Sequence, residues 1–171
     1  MVQLIGFPRP SSNWDAVQPG EVVVLYRSDA PDVALAVDVS GRGAADAVVT
    51  LSRNDGGEGA IFRLLGTGEV SALFGRPDGE LIVRPPSRGG WPAQVPVLVQ
   101  RSASGRPDQI VVHPEEGPCI RFATATGLLM LFTLAGGQRA DALSSCMAFD
   151  AWELVFRWPD GSEGLISRAD G

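Results

Sequence analysis

The sequence predicts an all-β fold, an antiparallel sandwich or barrel with at most one short helix. Short apolar runs rich in Val, Ile and Leu recur along the 171 residues. The 21 glycines and 13 prolines are spread between these runs, as expected for many tight turns between short strands. With 44% hydrophobic residues the chain can bury a sizeable core, so its composition argues against disorder.

The first 20 residues are interpreted as an extended arm, because Pro8 and Pro10 interrupt any regular element. The arm lacks the charged start and long apolar centre of a secretory signal. No stretch of the chain approaches the roughly 20 apolar residues of a membrane helix. A formal net charge of −6 argues against binding to nucleic acid or to an anionic membrane. We therefore expect a cytoplasmic protein with reduced thiols.

The stretch from 22 to 39 predicts the first hairpin. Residues 22–25 form a continuous apolar run, which is typical of a strand covered on both faces. Residues 29–32 place a proline between two aspartates and predict a turn. From 33 to 39 large apolar residues alternate with small or charged ones, which predicts a strand with one buried face.

Two later regions are harder to assign. Segments 60–65 and 69–74 predict a hairpin across the glycines between them. Segment 138–149 is ambiguous, because Ala140, Leu143 and Met147 have helical spacing and a short helix competes with a strand. Further strands are expected at 47–53, 81–83, 97–101, 109–113, 119–124, 128–134, 152–158 and 165–168.

Residues 85–96 contain four prolines without any period and are interpreted as a linker. The linker separates two β halves, 21–84 and 97–171, which are too small to bury much core alone and are expected to pack as one body. The rival fold is a β-trefoil. Segment 35–64 resembles a lectin-type trefoil repeat, but it lacks the Gln-x-Trp of that family, and no three-fold spacing is visible.

The two halves share turn motifs in the same order. Phe-x-x-Pro-Asp-Gly occurs at 74–79 and again at 156–161, and Leu-Ile-x-Arg follows at 81–84 and at 165–168. The hypothesis that follows is an internal duplication into two pseudo-repeated β halves.

One short loop holds the candidate metal or catalytic residues His113, Glu115, Glu116 and Cys119. Neutral imidazole, carboxylate and thiolate are all metal ligands, and a Cys–His pair could supply a nucleophile and its base. No known metal-site spacing is matched, and the repeat places His113 on a buried strand face, so a structural histidine is favoured. Cys119 and Cys146 are expected to be buried free thiols. No cofactor is expected.

Aromatic residues give the candidate ligand-binding site. Trp152, Leu154, Phe156 and Trp158 fall on one face of a regular strand, and such a stripe is more often core than binding surface. Trp158, and Trp91 in Gly-Gly-Trp-Pro, are the candidate ligand-binding residues, because an exposed indole can stack on a sugar ring.

The leading functional hypothesis is a non-enzymatic β-domain that binds a ligand or a partner protein through loops at the strand ends. A partner protein and a sugar or other small molecule stay open as ligands, and so does the oligomeric state. The alternatives are a small cupin-like, metal-dependent enzyme built around His113 and a carbohydrate-binding module. The sequence contains no Gly-x-Ser-x-Gly, paired-His zinc motif, dinucleotide fingerprint or Cys-x-x-Cys, which argues against the enzyme.

Overall fold

The computed structural model describes ten ranges of the chain: 17–27, 30–52, 62–64, 73–76, 79–84, 95–98, 109–124, 126–141, 145–148 and 151–170. These ranges contain thirteen β-strands and no helix, which confirms the all-β prediction. The strands are β1 (Val22–Arg27), β2 (Ala30–Val37), β3 (Ala47–Ser52), β4 (Phe62–Leu64), β5 (Leu73–Arg76), β6 (Glu80–Arg84), β7 (Val95–Leu98), β8 (Gln109–His113), β9 (Gly117–Ala123), β10 (Leu129–Thr133), β11 (Ser145–Ala148), β12 (Ala151–Arg157) and β13 (Glu163–Asp170).

The strands form three antiparallel sheets. Sheet I has the order β4-β3-β2-β1-β5, sheet II the order β10-β9-β8-β11-β7, and sheet III the order β13-β12-β6. Within the described ranges the strands form open sheets rather than a closed barrel, which is consistent with the sandwich alternative. In the same ranges no helix has the length and hydropathy needed to span a membrane.

One apolar cluster takes side chains from all three sheets and forms the main core. Its fully buried members include Leu35 of sheet I, Phe132 of sheet II and Leu154 of sheet III, each at most 1% exposed. Because a single cluster joins the three sheets, burial of apolar surface stabilises them together. Sheet III also pairs β6 with β12, which come from the two proposed halves of the chain.

The first hairpin departs from its prediction in two ways. The strand β2 begins at Ala30, so most of the predicted turn belongs to the strand, and the pairing with β1 continues to Arg27 opposite Ala30. Pro31 is tolerated because β2 pairs with β3 only from Val33 onward, so no neighbour needs an N–H from Pro31 on that side.

The second difference concerns burial. Both faces of β2 are covered, since Leu35 lies in the main core while Ala34 and Ala36 pack in a second cluster with Val17 and Val48. Because alanine side chains are small, other residues pack closely on this second face of β2, which the sequence predicted to be exposed. The prediction of double coverage for residues 22–25 is confirmed at Val22, Val23 and Val24, which are at most 2% exposed.

The predicted hairpin between 60–65 and 69–74 is wrong. Strand β4 pairs with β3, and β5 pairs with β1, so the two strands lie at opposite edges of sheet I. Glycines between two apolar runs indicate a turn, but they carry no information on which strand each run will join.

The described part of the ambiguous segment 138–149, residues 138–141 and 145–148, contains two isolated bridges and a strand but no helix. Gln138 and Arg139 form isolated bridges, and β11 pairs with both β8 and β7. Strand β7 begins at Val95, inside the predicted linker; the rest of the linker, 85–94, lies outside the described residues. The division of the chain at this linker stays a prediction.

Sheets I and II meet through a close backbone contact at Gly137. The amide of Asp38, which follows β2, donates to the carbonyl of Gly137, which follows β10, 2.9 Å away. Beside this contact the amide of Gly20, which precedes β1, donates to the carbonyl of Ala36 on β2, 2.8 Å away. Gly137 has a φ of 64°, and a Cβ placed there would overlap the oxygen of Ala36 and the nitrogen of Gly20. Only glycine allows the backbones to approach this closely.

Candidate functional site

His113 ends β8 and supports the hairpin that leads into β9. Its imidazole is 3% exposed, and its Nδ1 accepts hydrogen bonds from the amides of Glu115 at 3.2 Å and Glu116 at 3.1 Å. Because Nδ1 is the acceptor, a neutral imidazole carries its proton on Nε2. Nε2 is buried and has no hydrogen-bond partner among the described residues. The side chain therefore organises the backbone of its own hairpin.

The other residues of the predicted metal site divide between solvent and interior. The side chains of Glu115 and Glu116 are exposed, whereas Cys119 is fully buried and its Sγ–H donates to the carbonyl of Gly117, 3.4 Å away. Over the described ranges, no group of three or more His, Cys, Asp and Glu side chains is placed to hold a metal ion. Metal binding by these residues stays a prediction.

Burial raises the pKa of the Cys119 thiol to about 12, and the nearby Cys146 and Glu116 add smaller contributions in the same direction. At neutral pH this thiol is protonated, and the thiolate is the nucleophilic form of cysteine. A nucleophilic role for Cys119 with His113 as its base therefore finds no support in this environment.

Both cysteines are buried and form no disulfide, as predicted. They belong to an apolar cluster on the second face of sheet II, together with Val111, Leu131, Ala140 and Ala148. Cys119 lies on β9 and Cys146 on β11, with β8 between them. Two strand spacings amount to about 10 Å, which exceeds the Cα separation that a disulfide can span.

The aromatic stripe on β12 is largely core, as predicted. Trp152, Leu154 and Phe156 belong to the main cluster, and the partly buried Trp158 packs against it. The Trp158 ring meets Phe156 edge to face, with the centroids 5.1 Å apart. A Cβ added at Gly164 would lie 2.8 Å from the Trp158 ring, so one side of the indole is covered by backbone.

The role of Trp158 as a ligand platform stays a prediction. The indole N–H is buried and has no acceptor among the described residues, so its polar edge is not aimed at open solvent. The other candidate, Trp91, lies outside the described residues.

The outer face of sheet III, which points away from the main core, was not among the predicted sites, yet it carries a regular arrangement of charge. Pairing across β13, β12 and β6 aligns alternate residues into three rows on one face. The first row is charged, the second apolar and the third charged: Arg168, Glu153 and Arg84; Leu165, Val155 and Ile82; Glu163, Arg157 and Glu80.

A repeated motif produces these rows. Glu-Leu-Ile-Val-Arg forms β6, and Glu-Leu-Val-Phe-Arg ends β12. Because the two strands are antiparallel, each Glu lies opposite the Arg of the other strand. Strand β13 carries the same order in Glu-Gly-Leu-Ile-Ser-Arg, with one extra residue at the irregularity opposite Leu154 and Val155. The motif is visible in the sequence, but only the pairing of the strands shows that it aligns opposite charges.

Ion pairs tie the two charged rows together. Arg84 contacts Glu153 in its own row at 3.1 Å and Glu163 in the opposite row. Arg157 contacts Glu80 at 3.1 Å and Glu163 at 2.8 Å. The guanidinium of Arg157, followed by Arg84, lowers the pKa of Glu163, so this carboxylate stays charged near neutral pH.

The apolar row between them is unevenly covered. Val155, at its centre, is 1% exposed, whereas Leu165, at one end, is 40% exposed. Arg84 reaches from one charged row to the other, and its aliphatic stem is suited to covering apolar side chains between them. The face thus exposes apolar surface at Leu165, at one end of an otherwise covered row, and has a charged margin on two sides.

No protein-family model, no curated protein and no solved structure matches this chain.

Proposed function

We propose that this chain is a non-enzymatic β-domain that acts by binding another protein, with the outer face of sheet III as its contact surface. The observation that carries the proposal is Leu165, which is 40% exposed at one end of the apolar row between the two charged rows. Protein interfaces often combine apolar contact with a polar rim, and arginine is enriched in them. On this face Leu165 supplies the exposed apolar surface, and the charged rows supply arginines on both sides of it.

The environment of the loop at His113 adds support for a non-enzymatic role. The imidazole Nδ1 is engaged by two backbone amides, and the Cys119 thiol has a pKa of about 12. A general base needs a free lone pair, and a nucleophile needs an accessible thiolate. A binding surface requires neither group, only complementary shape and charge.

A cytoplasmic location belongs to the same proposal. Cys119 and Cys146 form no disulfide, and the sheet geometry separates them by more than a disulfide can span. Two thiols outside any disulfide suit a reducing compartment. The net charge of −6 argues against nucleic acid as the partner.

The proposal can be tested by substituting Leu165 with arginine. Leu128, which is 42% exposed outside sheet III, gives a matched control as L128R. Exposed substitutions of this kind change stability by only about 0.5 kcal/mol, so both variants are expected to fold. We expect the unmodified protein and L128R to retain a specific protein from a native extract of the source cells, and L165R to lose it.

Cross-linking before capture would keep weak complexes, and a second copy of the chain counts as a partner in this assay. Retention of the same proteins by L165R as by L128R would show that the sheet III face is not the contact surface.

A further inference from the structure

We propose that the partner of the sheet III face is a second copy of this chain, related by a two-fold axis that runs across the strands. The inference rests on the proposed function, since it uses the same face. What it adds is the identity of the partner and the geometry of the contact, and both follow from the order of charges in the three rows.

The two charged rows are inverse copies of each other. Taken in the order β13, β12, β6, one row reads Arg168, Glu153, Arg84, which is positive, negative, positive. The other row, in the same order, reads Glu163, Arg157, Glu80, which is negative, positive, negative. The face as a whole has no net charge from these six side chains, but it has a strict alternation along both directions.

A two-fold axis lying between two such faces, perpendicular to the strands, keeps each strand over its own copy and reverses the direction along it. Each charged row then lies over the opposite row of the second copy. Arg84 faces Glu80 and Arg168 faces Glu163, each pair occurring twice. Arg157 lies over Glu153, which is 8% exposed, so this third pair attracts without direct contact. An interface of this symmetry is self-complementary, as isologous contacts require. Complementary charges of this kind fix orientation and register.

The alternative two-fold axis, parallel to the strands, gives the opposite result. It would place each charged row over its own copy, with arginine facing arginine and glutamate facing glutamate. Like charges in contact cost several kcal/mol in an interface. The pattern therefore selects one of the two simple arrangements and rejects the other.

The apolar row lies on the axis in the selected arrangement. The exposed Leu165 would meet Leu165 of the second copy, and the partly buried Ile82 would lie over Ile82. Val155, between them, is already covered at 1% exposure and makes no contact across the interface. Packed sheets lie about 10 Å apart, a separation that apolar side chains from both sides fill. The arginines and glutamates then surround this strip as a rim.

The contact is small, and this sets the expected strength. Three strands about 4.8 Å apart and five residues about 3.4 Å apart cover roughly 15 by 17 Å. That footprint is below the roughly 800 Å² per partner of a standard stable interface. The same arginines also pair within one chain and must give up part of that pairing. The dimer is therefore weak, concentration-dependent and sensitive to salt.

Sedimentation velocity on the full chain tests the proposal with two charge-reversal variants. Glu80 has the most exposed carboxylate of the network, with 63% side-chain exposure, and E80R would set it against Arg84 of the second copy. R84E is the reciprocal change. We expect the unmodified protein to dimerise increasingly from about 10 µM to about 1 mM, and each single variant to be monomeric over that range.

Mixing the two variants is the decisive step. In a 1:1 mixture the E80R chain carries two positive side chains where the R84E chain carries two negative ones, so we expect the dimer to return. Because R84E also places a second carboxylate beside Glu153 in its own chain, thermal unfolding of each variant accompanies the measurement. If R84E fails to fold, L165R replaces it: this variant should be monomeric while L128R dimerises like the unmodified protein.

Three results would overturn the inference: an unmodified protein that stays monomeric at the highest concentration, a dimer that persists in E80R and L165R, or folded variants whose mixture stays monomeric. A monomeric protein that still captures a different partner through Leu165 would overturn only the self-association, and the proposed function would stand. If L165R changes neither self-association nor the capture of another protein, both the inference and the proposed function fail.

Discussion

Sheets I and II have the same strand order from one edge inward and differ at the other edge. Each contains three consecutive strands that pair in order, β2-β3-β4 in sheet I and β8-β9-β10 in sheet II. Each adds the strand that precedes this set and one that follows it. In sheet I the preceding strand β1 lies inside and β5 at the edge, whereas in sheet II the following strand β11 lies inside and β7 at the edge.

A duplication would account for the three-stranded unit that the two sheets share. It would not account for the different strands at the other edge. The duplication accordingly stays a prediction. The three-stranded unit pairs strands that are consecutive in the chain. The last two strand positions of each sheet depend on contacts between segments that are distant in the chain. Local pairing is formed at low entropic cost, and the order of distant strands is decided by packing.

The two sheets also use different chemistry at the same kind of hairpin. In sheet I, Asp38 is 4% exposed and accepts hydrogen bonds from the amides of Gly41 at 2.7 Å and Gly43 at 2.6 Å, with Arg42 also contributing. In sheet II, Nδ1 of His113 accepts from two amides. One hairpin is organised by a carboxylate and the other by an imidazole, so the two should respond differently to substitution.

The largest effect is expected where the two sheets meet. G137A should destabilise the protein by about 3 kcal/mol or more, because a Cβ at this position combines a positive φ with overlap on two backbone atoms. Gly127 is the matched control: its φ is 79°, but no atom of the described residues lies within 4 Å of the Cβ position. G127A should cost only about 1 kcal/mol, the strain of a left-handed alanine.

Urea denaturation of both variants measures this difference. If sheets I and II unfold as one unit, G137A shifts a single transition. Equal losses in the two alanine variants would mean that the close approach at Gly137 contributes nothing.

The next largest effect separates a structural histidine from a metal ligand. H113A should lower the free energy of unfolding by about 2 kcal/mol, because it leaves a cavity and removes the acceptor of two backbone amides. H113N should recover part of the loss, since its side-chain oxygen can accept from nearby amides. The unfolding temperatures of all three proteins should be unchanged by a chelator.

A bound metal in the purified protein that disappears in both variants, together with a chelator effect on the unmodified protein alone, would contradict this reading and favour the metal-dependent alternative.

Strand positions were predictable to within one or two residues where the apolar pattern was clean. Strand β8 spans 109–113 as expected, and β12 begins and ends one residue before its predicted limits of 152 and 158. Pairing was not predictable in the same way, as the false hairpin between β4 and β5 shows. Periodicity reports which face of a strand is buried, but the choice of neighbour depends on contacts far apart in the chain.

The same limit applies to the candidate sites. The sequence placed His113, Glu115, Glu116 and Cys119 in one hairpin, but it could not show that the carboxylates are exposed while the thiol is buried. The face of sheet III was missed because its parts, β6 and β12, lie about 70 residues apart, the separation of the ion pair between Arg84 and Glu153. Only their antiparallel pairing turns two similar motifs into rows of opposite charge.

The smallest effect expected is the response of the sheet I hairpin to acid. Hydrogen bonds from the amides of Gly43, and then Arg42 and Gly41, lower the pKa of Asp38 below its ordinary value of 3.8. A carboxyl whose pKa is lower in the folded state stabilises the fold above the unfolded value, and this contribution is lost as the pH falls toward the folded value. The acid-dependent loss from Asp38 therefore lies below about pH 4.

D38N removes this titration while it keeps one acceptor oxygen for the loop. The unmodified protein should lose more stability than D38N when the pH is lowered from about 6 to about 3, and the two should respond in parallel above about pH 5. Thermal unfolding followed by circular dichroism measures both profiles, and the difference between them cancels the contribution of other carboxylates such as Glu163. Parallel profiles across the whole range would mean that the hydrogen bonds to Asp38 do not distinguish its charged form, and that the sheet I hairpin is held by its backbone alone.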